Sequence, residues 1–211
     1  MKIFVTSDTH FGHVRVAELR GFDTVADHDR ELVDRWNNTV GVEDIVYHLG
    51  DFSMNLKALS VVSELNGSVN LVAGNHDQCW HRRSKTRDVR IAVGRAAGYL
   101  NAGFHQVFTS GTILMEVHGK DVVLSHLPVV GDHQSQDRYL ERRPFPGDLP
   151  VLCGHVHAQW RTCQKQLNVG VDVNDLRPIR IEEALREVSG LTGMGAEGPM
   201  TVGPWNHLGF G

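Results

Sequence analysis

The chain has 211 residues, of which 41% are hydrophobic and 22% charged, with a formal net charge of −4 at pH 7. That length suits one domain with a substantial core and is slightly short for two, and the composition is that of a soluble globular protein. The acidic balance argues against a general nucleic-acid coat, and no stretch approaches the ~18 consecutive apolar residues of a membrane span.

In chain order, Ile3 to Thr6 reads as a strand and Ala26 to Val40 as an amphipathic helix with Leu32, Val33 and Trp36 on one face. Ile45 to Leu49 reads as a second strand, Leu56 to Leu65 as a helix ending at Asn66-Gly67, and Val69 to Ala73 as a third strand. This alternation predicts a parallel sheet with crossover helices. Residues near 81 to 101 are helical but weakly patterned. Gln106 to Thr109, Thr112 to Val117 and Val122 to Ser125 follow as short strands, separated by Ser110-Gly111 and His118-Gly119-Lys120, which suit tight hairpins.

Residues 127 to 148 form a long irregular loop, of a length that compact domains keep mainly for function. Strands resume at Val151 to Cys153, Trp160 to Cys163 and Gln166 to Val169, and Glu182 to Val188 reads as a last helix. Residues 1–188 are therefore expected to be one domain, followed by a Gly- and Pro-rich tail at 189–211.

Three cysteines, Cys79, Cys153 and Cys163, form no CxxC pair and leave one over in any disulfide scheme. Free thiols in a reducing compartment follow. The opening MKIFVTSD lacks the long apolar region of a secretory signal, so a cytoplasmic protein is expected.

Histidine is the unusual component, at 13 residues. The polar clusters fall where predicted strands end: "SDTHFGH" with Asp8, His10 and His13, "HLGDF" with Asp51, "AGNHD" with Asn75, His76 and Asp77, "LSHLP" with His126, and "CGHVH" with His155 and His157. The carboxyl ends of parallel strands share one edge, where ligands bind, so these distant positions should converge. Imidazole and carboxylate donors without thiolates suit a pair of divalent cations rather than structural zinc or an iron–sulfur cluster. A central carboxylate can bridge two cations ~3.5–4 Å apart.

D-x-H, G-D, G-N-H-D, a later lone H and G-H-x-H, in that order, resemble the calcineurin-like metallophosphoesterase family. The "DTHFGH" opening and the "LNVGVD" stretch at 167 to 172 are most similar to its small prokaryotic and phage-encoded members. The resemblance implies an α/β/β/α sandwich of two mixed sheets flanked by helices. It implies Asp8, His10 and His157 on a first cation, Asn75, His126 and His155 on a second, Asp51 between them, and His76 as the catalytic histidine; Asp77, adjacent in the chain, is the second catalytic candidate. Mn²⁺ is the expected metal, with Fe, Zn, Ni and Co as other candidates.

The implied activity is a dinuclear phosphohydrolase, with small phosphodiesters such as cyclic nucleotides preferred. In it, water activated between the cations attacks phosphorus while His76 assists the leaving group. Phosphomonoesterase or phosphoprotein phosphatase is the alternative; a nuclease and a non-catalytic scaffold fit less well. No stable nucleic-acid partner and no membrane are expected.

His13, Arg142 and Arg143 are candidate substrate contacts, the two arginines as a phosphate clamp. Arg82, Arg83, Lys85, Arg87 and Arg90 read as a solvated helix face, with steering of anions as the alternative. His48 reads as a core or supporting histidine, and Asn168 as a hydrogen-bond partner of a ligand histidine. His28, His81, His105, His118, His133 and His207 carry no motif and read as structural or exposed.

Overall fold

The computed structural model describes residues 1–81 and 86–190. Arg82, Arg83 and Lys85 of the basic run, and residues 191–211 of the expected tail, lie outside the described residues. Arg87 and Arg90 are exposed on a helix.

Two five-stranded sheets face each other. In the first, β1 (Ile3–Thr6), β2 (Ile45–His48), β3 (Ser68–Val72) and β4 (Gln106–Phe108) run parallel, and β10 (Ile179–Arg180) pairs antiparallel with β1. The second has the order β5 (Thr112–Val117), β6 (Lys120–Ser125), β7 (Val151–Cys153), β9 (Gln166–Asn168) and β8 (Thr162–Cys163). Its β6, β7 and β9 are mutually parallel and its two edge strands antiparallel.

Strand alternation divides the core. Phe4, Val46, Val69 and Leu71 point from the first sheet toward helix α2 (Val25–Thr39), whose Leu32 and Trp36 meet them. Helix α3 (Thr86–Ala102) adds Ala96 and Tyr99 to the same layer. Val5 and Val72 point the other way, into a layer with Val122, Leu124, Leu152 and Leu167 between the sheets. Helix α4 (Ile181–Gly190) adds Ile181, Ala184, Leu185 and Val188 there. This is the period-two geometry of strands with both faces buried. On the far face of the second sheet Val123, Val151 and Cys153 pack with Val156 and Trp160, and Val129 of the long loop and Leu149 just after it close over them.

Three local expectations change. The 56–65 segment is a 3₁₀ helix, Leu56–Glu64, rather than an α-helix. Its Ser60 and Ser63 hydroxyls donate to the carbonyls of Lys57 and Ser60 at 3.1 and 2.8 Å, competing with the α-helical pattern as serine side chains do. The turn at Ser110-Gly111 is not a hairpin. β4 lies on β3 in the first sheet while β5 opens the second, so the chain changes sheets there; the hairpin at His118-Gly119 does form. Short α1 (Val14–Leu19) is new; it buries only Val16 and Ala17 and is capped by a histidine, leaving little pattern to read.

Candidate metal centre

β1, β2 and β3 of the first sheet, and β6 and β7 of the second, end at one place. The chain after β1 runs beside the chain after β2: Asp8 N, His10 N and Phe11 N donate to the carbonyls of Gly50, Asp51 and Phe52 at 3.0, 3.0 and 2.8 Å. The backbone then turns unusually. Asp8, His10, Asp51, His155 and His157 have φ of 59°, 51°, 55°, 72° and 48°. Non-glycine residues seldom adopt this left-handed region, and such strain collects at functional sites. Two glycines permit the close approach. A Cβ at Gly74 would press into Asp51, and one at Gly154 into Ser7 and Asp8.

All seven expected cation ligands come together, each at most 3% exposed. His10 Nε2 lies 3.9 Å from Asp8 Oδ1 and 3.8 Å from Asp51 Oδ2, and Asp8, His10 and His157 bring donor atoms within 4.8 Å of one another. On the other side of Asp51, His126 Nε2 is 3.5 Å from the same Oδ2 and 2.9 Å from Asn75 Oδ1. The His126 Nδ1–H donates to Leu49 O at 2.8 Å, which turns Nε2 toward both oxygens.

Asp8 Oδ1, both ring nitrogens of His10, and His155 Nδ1 are buried with no hydrogen-bond partner. Buried acceptors are ordinarily satisfied. Lone pairs turned on one another in two adjoining groups are what divalent cations relieve, so the residues fit a pair of metal ions.

At His10 and His155 the protonation states agree, while Asp8 and His157 shift the other way. Burial, with His157 nearby, holds His10 well below the ordinary histidine value, and burial brings His155 down to about 3. Neutral imidazole is the ligating form. Burial would raise the Asp51 carboxyl, but His126 and His76 outweigh it and hold it at about 2. Asp8 is raised by burial. His157 rises despite burial because it is hydrogen-bonded to Asp172.

A profile of the calcineurin-like phosphoesterase superfamily domain matches residues 1–173. The chain belongs to this superfamily. Among curated relatives, the gene 66 protein of Mycobacterium phage L5 is 35% identical over 182 residues, covering 79% of this chain and 84% of that protein. The gene 66 protein of Mycobacterium phage D29 is 30% identical over 200 residues, covering 88% and 96%. The solved structure of a protein of unknown function from Aquifex aeolicus superposes with a TM-score of 0.64 at 25% identity, covering 88% of this chain and 98% of that one. The two-sheet fold and hydrolysis of phosphoric esters at divalent metals are the superfamily's properties, and the buried Asp/His groups of this phosphoesterase could hold such ions. No helix among the described residues is long and apolar enough to cross a membrane. The three cysteines are buried and free.

Other expected site residues are placed differently. His76 sits at the rim, its side chain 26% exposed and its Nε2 4.0 Å from Asp51 Oδ2. Asp77 is turned away into the backbone. Its carboxylate accepts from Gly74 N at 2.7 Å, Asp51 N at 2.8 Å and Phe52 N at 3.2 Å. It is an anchor of the Asp51 turn, where three amide donors converge, rather than a group beside the His76 ring. Burial and Asp51 push its pKa up to about 7 against those donors.

His13 stays near, its ring centroid 5.7 Å from that of His10, while it accepts from Val16 N at the start of α1. The arginine clamp does not form. Arg142 lies over Trp80 and hydrogen-bonds to His81 and Ser110 O. Arg143 is buried, bracing the loop through the carbonyls of Pro128, Gly131 and Arg138 and through Asp132. Carbonyls of an irregular loop that no ladder satisfies supply those partners.

His48 is a core histidine, hydrogen-bonded to Thr9 Oγ1 at 3.0 Å. Asn168 donates to the backbone carbonyl of His157 at 2.7 Å rather than to its ring. The ring partner is Asp172, at 3.0 Å from Nδ1, itself gripped by Arg20 at 2.8 and 2.9 Å. Asp132 plays the same part for His155, at 3.0 Å from Nε2. His133, expected to be structural or exposed, is buried here and its Nδ1–H donates to His155 O at 3.0 Å. The Asp-His pair inside the long loop, and the aspartate of "LNVGVD", were the available signals.

Asp77→Asn places an amide N–H₂ against converging backbone donors. A loss of about 1–3 kcal/mol in unfolding free energy is expected, measured by urea denaturation of the metal-free protein. An unchanged urea midpoint contradicts the anchor role.

Proposed function

We propose that the protein is a dinuclear phosphodiesterase acting on small phosphodiesters such as cyclic nucleotides. Asp8, His10 and His157 would hold one cation, Asn75, His126 and His155 the other, and Asp51 both. The observation that carries this reading is a single oxygen. Asp51 Oδ2 stands 3.8 Å from His10 Nε2, 3.5 Å from His126 Nε2 and 4.0 Å from His76 Nε2, at the border of both donor groups and under a histidine that is partly open to solvent.

Two divalent cations supply neutralisation of the phosphate oxygens and a lowered pKa for water near neutral pH. The chain supplies the rest. His76, fixed by its backbone N–H to Asp51 Oδ1 at 2.8 Å, faces the space above the shared carboxylate and can pass a proton to a departing alkoxide. His13, half-buried beside His10, is the proposed contact for a phosphate oxygen. A cavity of about 390 Å³ adjoins His76, lined by Gln78, Trp80, Ile91 and Arg95 among others, which supports a reading with a leaving group on that side. Imidazole, carboxylate and amide donors without a thiolate suit Mn²⁺, Fe or Zn, with loading set by availability as well as affinity; Mn²⁺ is the ion we propose.

His76→Ala is expected to keep two cation equivalents and to lose about 10²–10⁴-fold in rate on alkyl esters, with a smaller loss on p-nitrophenyl esters. Equal losses on both would remove His76 as proton donor. Asp51→Ala should release both cations along with activity, and two retained equivalents by metal analysis would contradict the shared ligand. With Mn²⁺ added, 2′,3′- and 3′,5′-cyclic nucleotides and bis-p-nitrophenyl phosphate should turn over ahead of monoesters and phosphopeptides; the reverse order would make this a phosphatase.

A further inference from the structure

Both ligand histidines of the G-H-x-H segment are backed by a buried carboxylate, but through opposite ring nitrogens. His155 offers Nε2 to Asp132 Oδ2 at 3.0 Å, which leaves its buried, partnerless Nδ1 as the nitrogen available to a cation. His157 offers Nδ1 to Asp172 Oδ2 at 3.0 Å, which leaves Nε2 for the centre. An imidazole has two nitrogens, and the hydrogen bond at one fixes which is presented at the other.

The two carboxylates rest on separate supports. Asp132 is side-chain buried and is held by Arg138 Nη2 at 3.0 Å and Arg143 Nη2 at 3.3 Å, and by the backbone N–H groups of Gln134 and Arg138 at 3.1 and 3.0 Å. All of these belong to the 127–148 loop. Asp172 is held by Arg20 at the end of α1, and the same guanidinium donates to the carbonyls of Asp8 and Thr9 at 2.6 and 2.9 Å. Neither support includes a residue of the other.

We propose that Asp132 is a positioning residue for the second cation alone and Asp172 for the first alone, so that the 127–148 loop governs the loading of one half of the centre. This rests on the dinuclear reading above. The length of the loop then has a reason: it must wrap Asp132 in two arginines and two amides while covering the outer face of the second sheet with Val129. Charge matters as much as reach, because a carboxylate makes the imidazole a stronger donor and an amide does not.

The test is Mn²⁺ binding to the full chain, by calorimetry and by the electron paramagnetic resonance of coupled against isolated ions. The wild type should take two equivalents. Asp132→Asn should weaken one of them about 10–100-fold, leave the other unchanged, and replace the coupled signal by that of isolated Mn²⁺. On a His155→Ala background it should change nothing further, whereas on a His157→Ala background it should weaken the cation that remains. Asp172→Asn should give the converse pattern. Arg138→Gln, on a partly exposed side chain, should produce a smaller loss at the same position as Asp132→Asn, and it serves if the latter fails to fold. Equal weakening of both cations, or of neither, overturns the proposal. A wild type that takes only one equivalent overturns the dinuclear reading itself.

Discussion

Lone pairs that face one another in a buried space set the terms for this molecule. Asp8, Asp51, Asn75, His126 and His155 bring oxygens and ring nitrogens within a few ångströms, and Asp8 Oδ1, His155 Nδ1 and the ring nitrogens of neighbouring His10 have no hydrogen-bond partner. In a low-dielectric interior, unpaired acceptors of this kind cost free energy. The fold tolerates them because each is fixed by something behind it: Leu49 O behind His126, Asp172 behind His157, Asp132 behind His155, and the amide of His76 on Asp51. The arrangement is preorganised for positive charge, which is the property a phosphoesterase needs before any substrate arrives.

The same demand explains the backbone. Regular strands deliver residues to the edge of a sheet, but alternate side chains then point to opposite faces. Turning Asp8 and His10, or His155 and His157, to one side of a loop requires left-handed steps at those residues. The tight approach at Gly74 and Gly154 lets the chains after four different strands close around a volume of atomic size. Packing on both sides of the first sheet provides the stability against which this strain is set.

Much of this was legible from residue order alone. β1, β2 and β3 follow from their apolar runs, and the polar clusters after strands of both sheets contain the seven expected ligands and His76, which the family resemblance picks out; β10, only two residues long, has no run to read. What resisted reading was held by long-range contacts or by weak local pattern. β4 looks like the first arm of a hairpin because Ser110-Gly111 is good turn sequence, yet pairing with β3 claims it for the other sheet. Asp77 looks catalytic because it adjoins His76, yet successive residues point apart, and its carboxylate is drawn to the amides of a loop 26 residues earlier in the chain. Arg142 and Arg143 look like a clamp because they are adjacent cations in a long loop, yet one covers Trp80 and the other answers the loop's own carbonyls.

The sequence by itself determined the chemical identity of the donors, their order, and the strand ends that carry them, since turn propensity and apolar runs are local properties. Only the tertiary structure decided which nitrogen of each histidine faces the centre and which carboxylates stand behind them. Those choices depend on groups as distant as Arg20 and Asp172, 152 residues apart, and a side chain's hydrogen-bond partner is chosen by proximity in space.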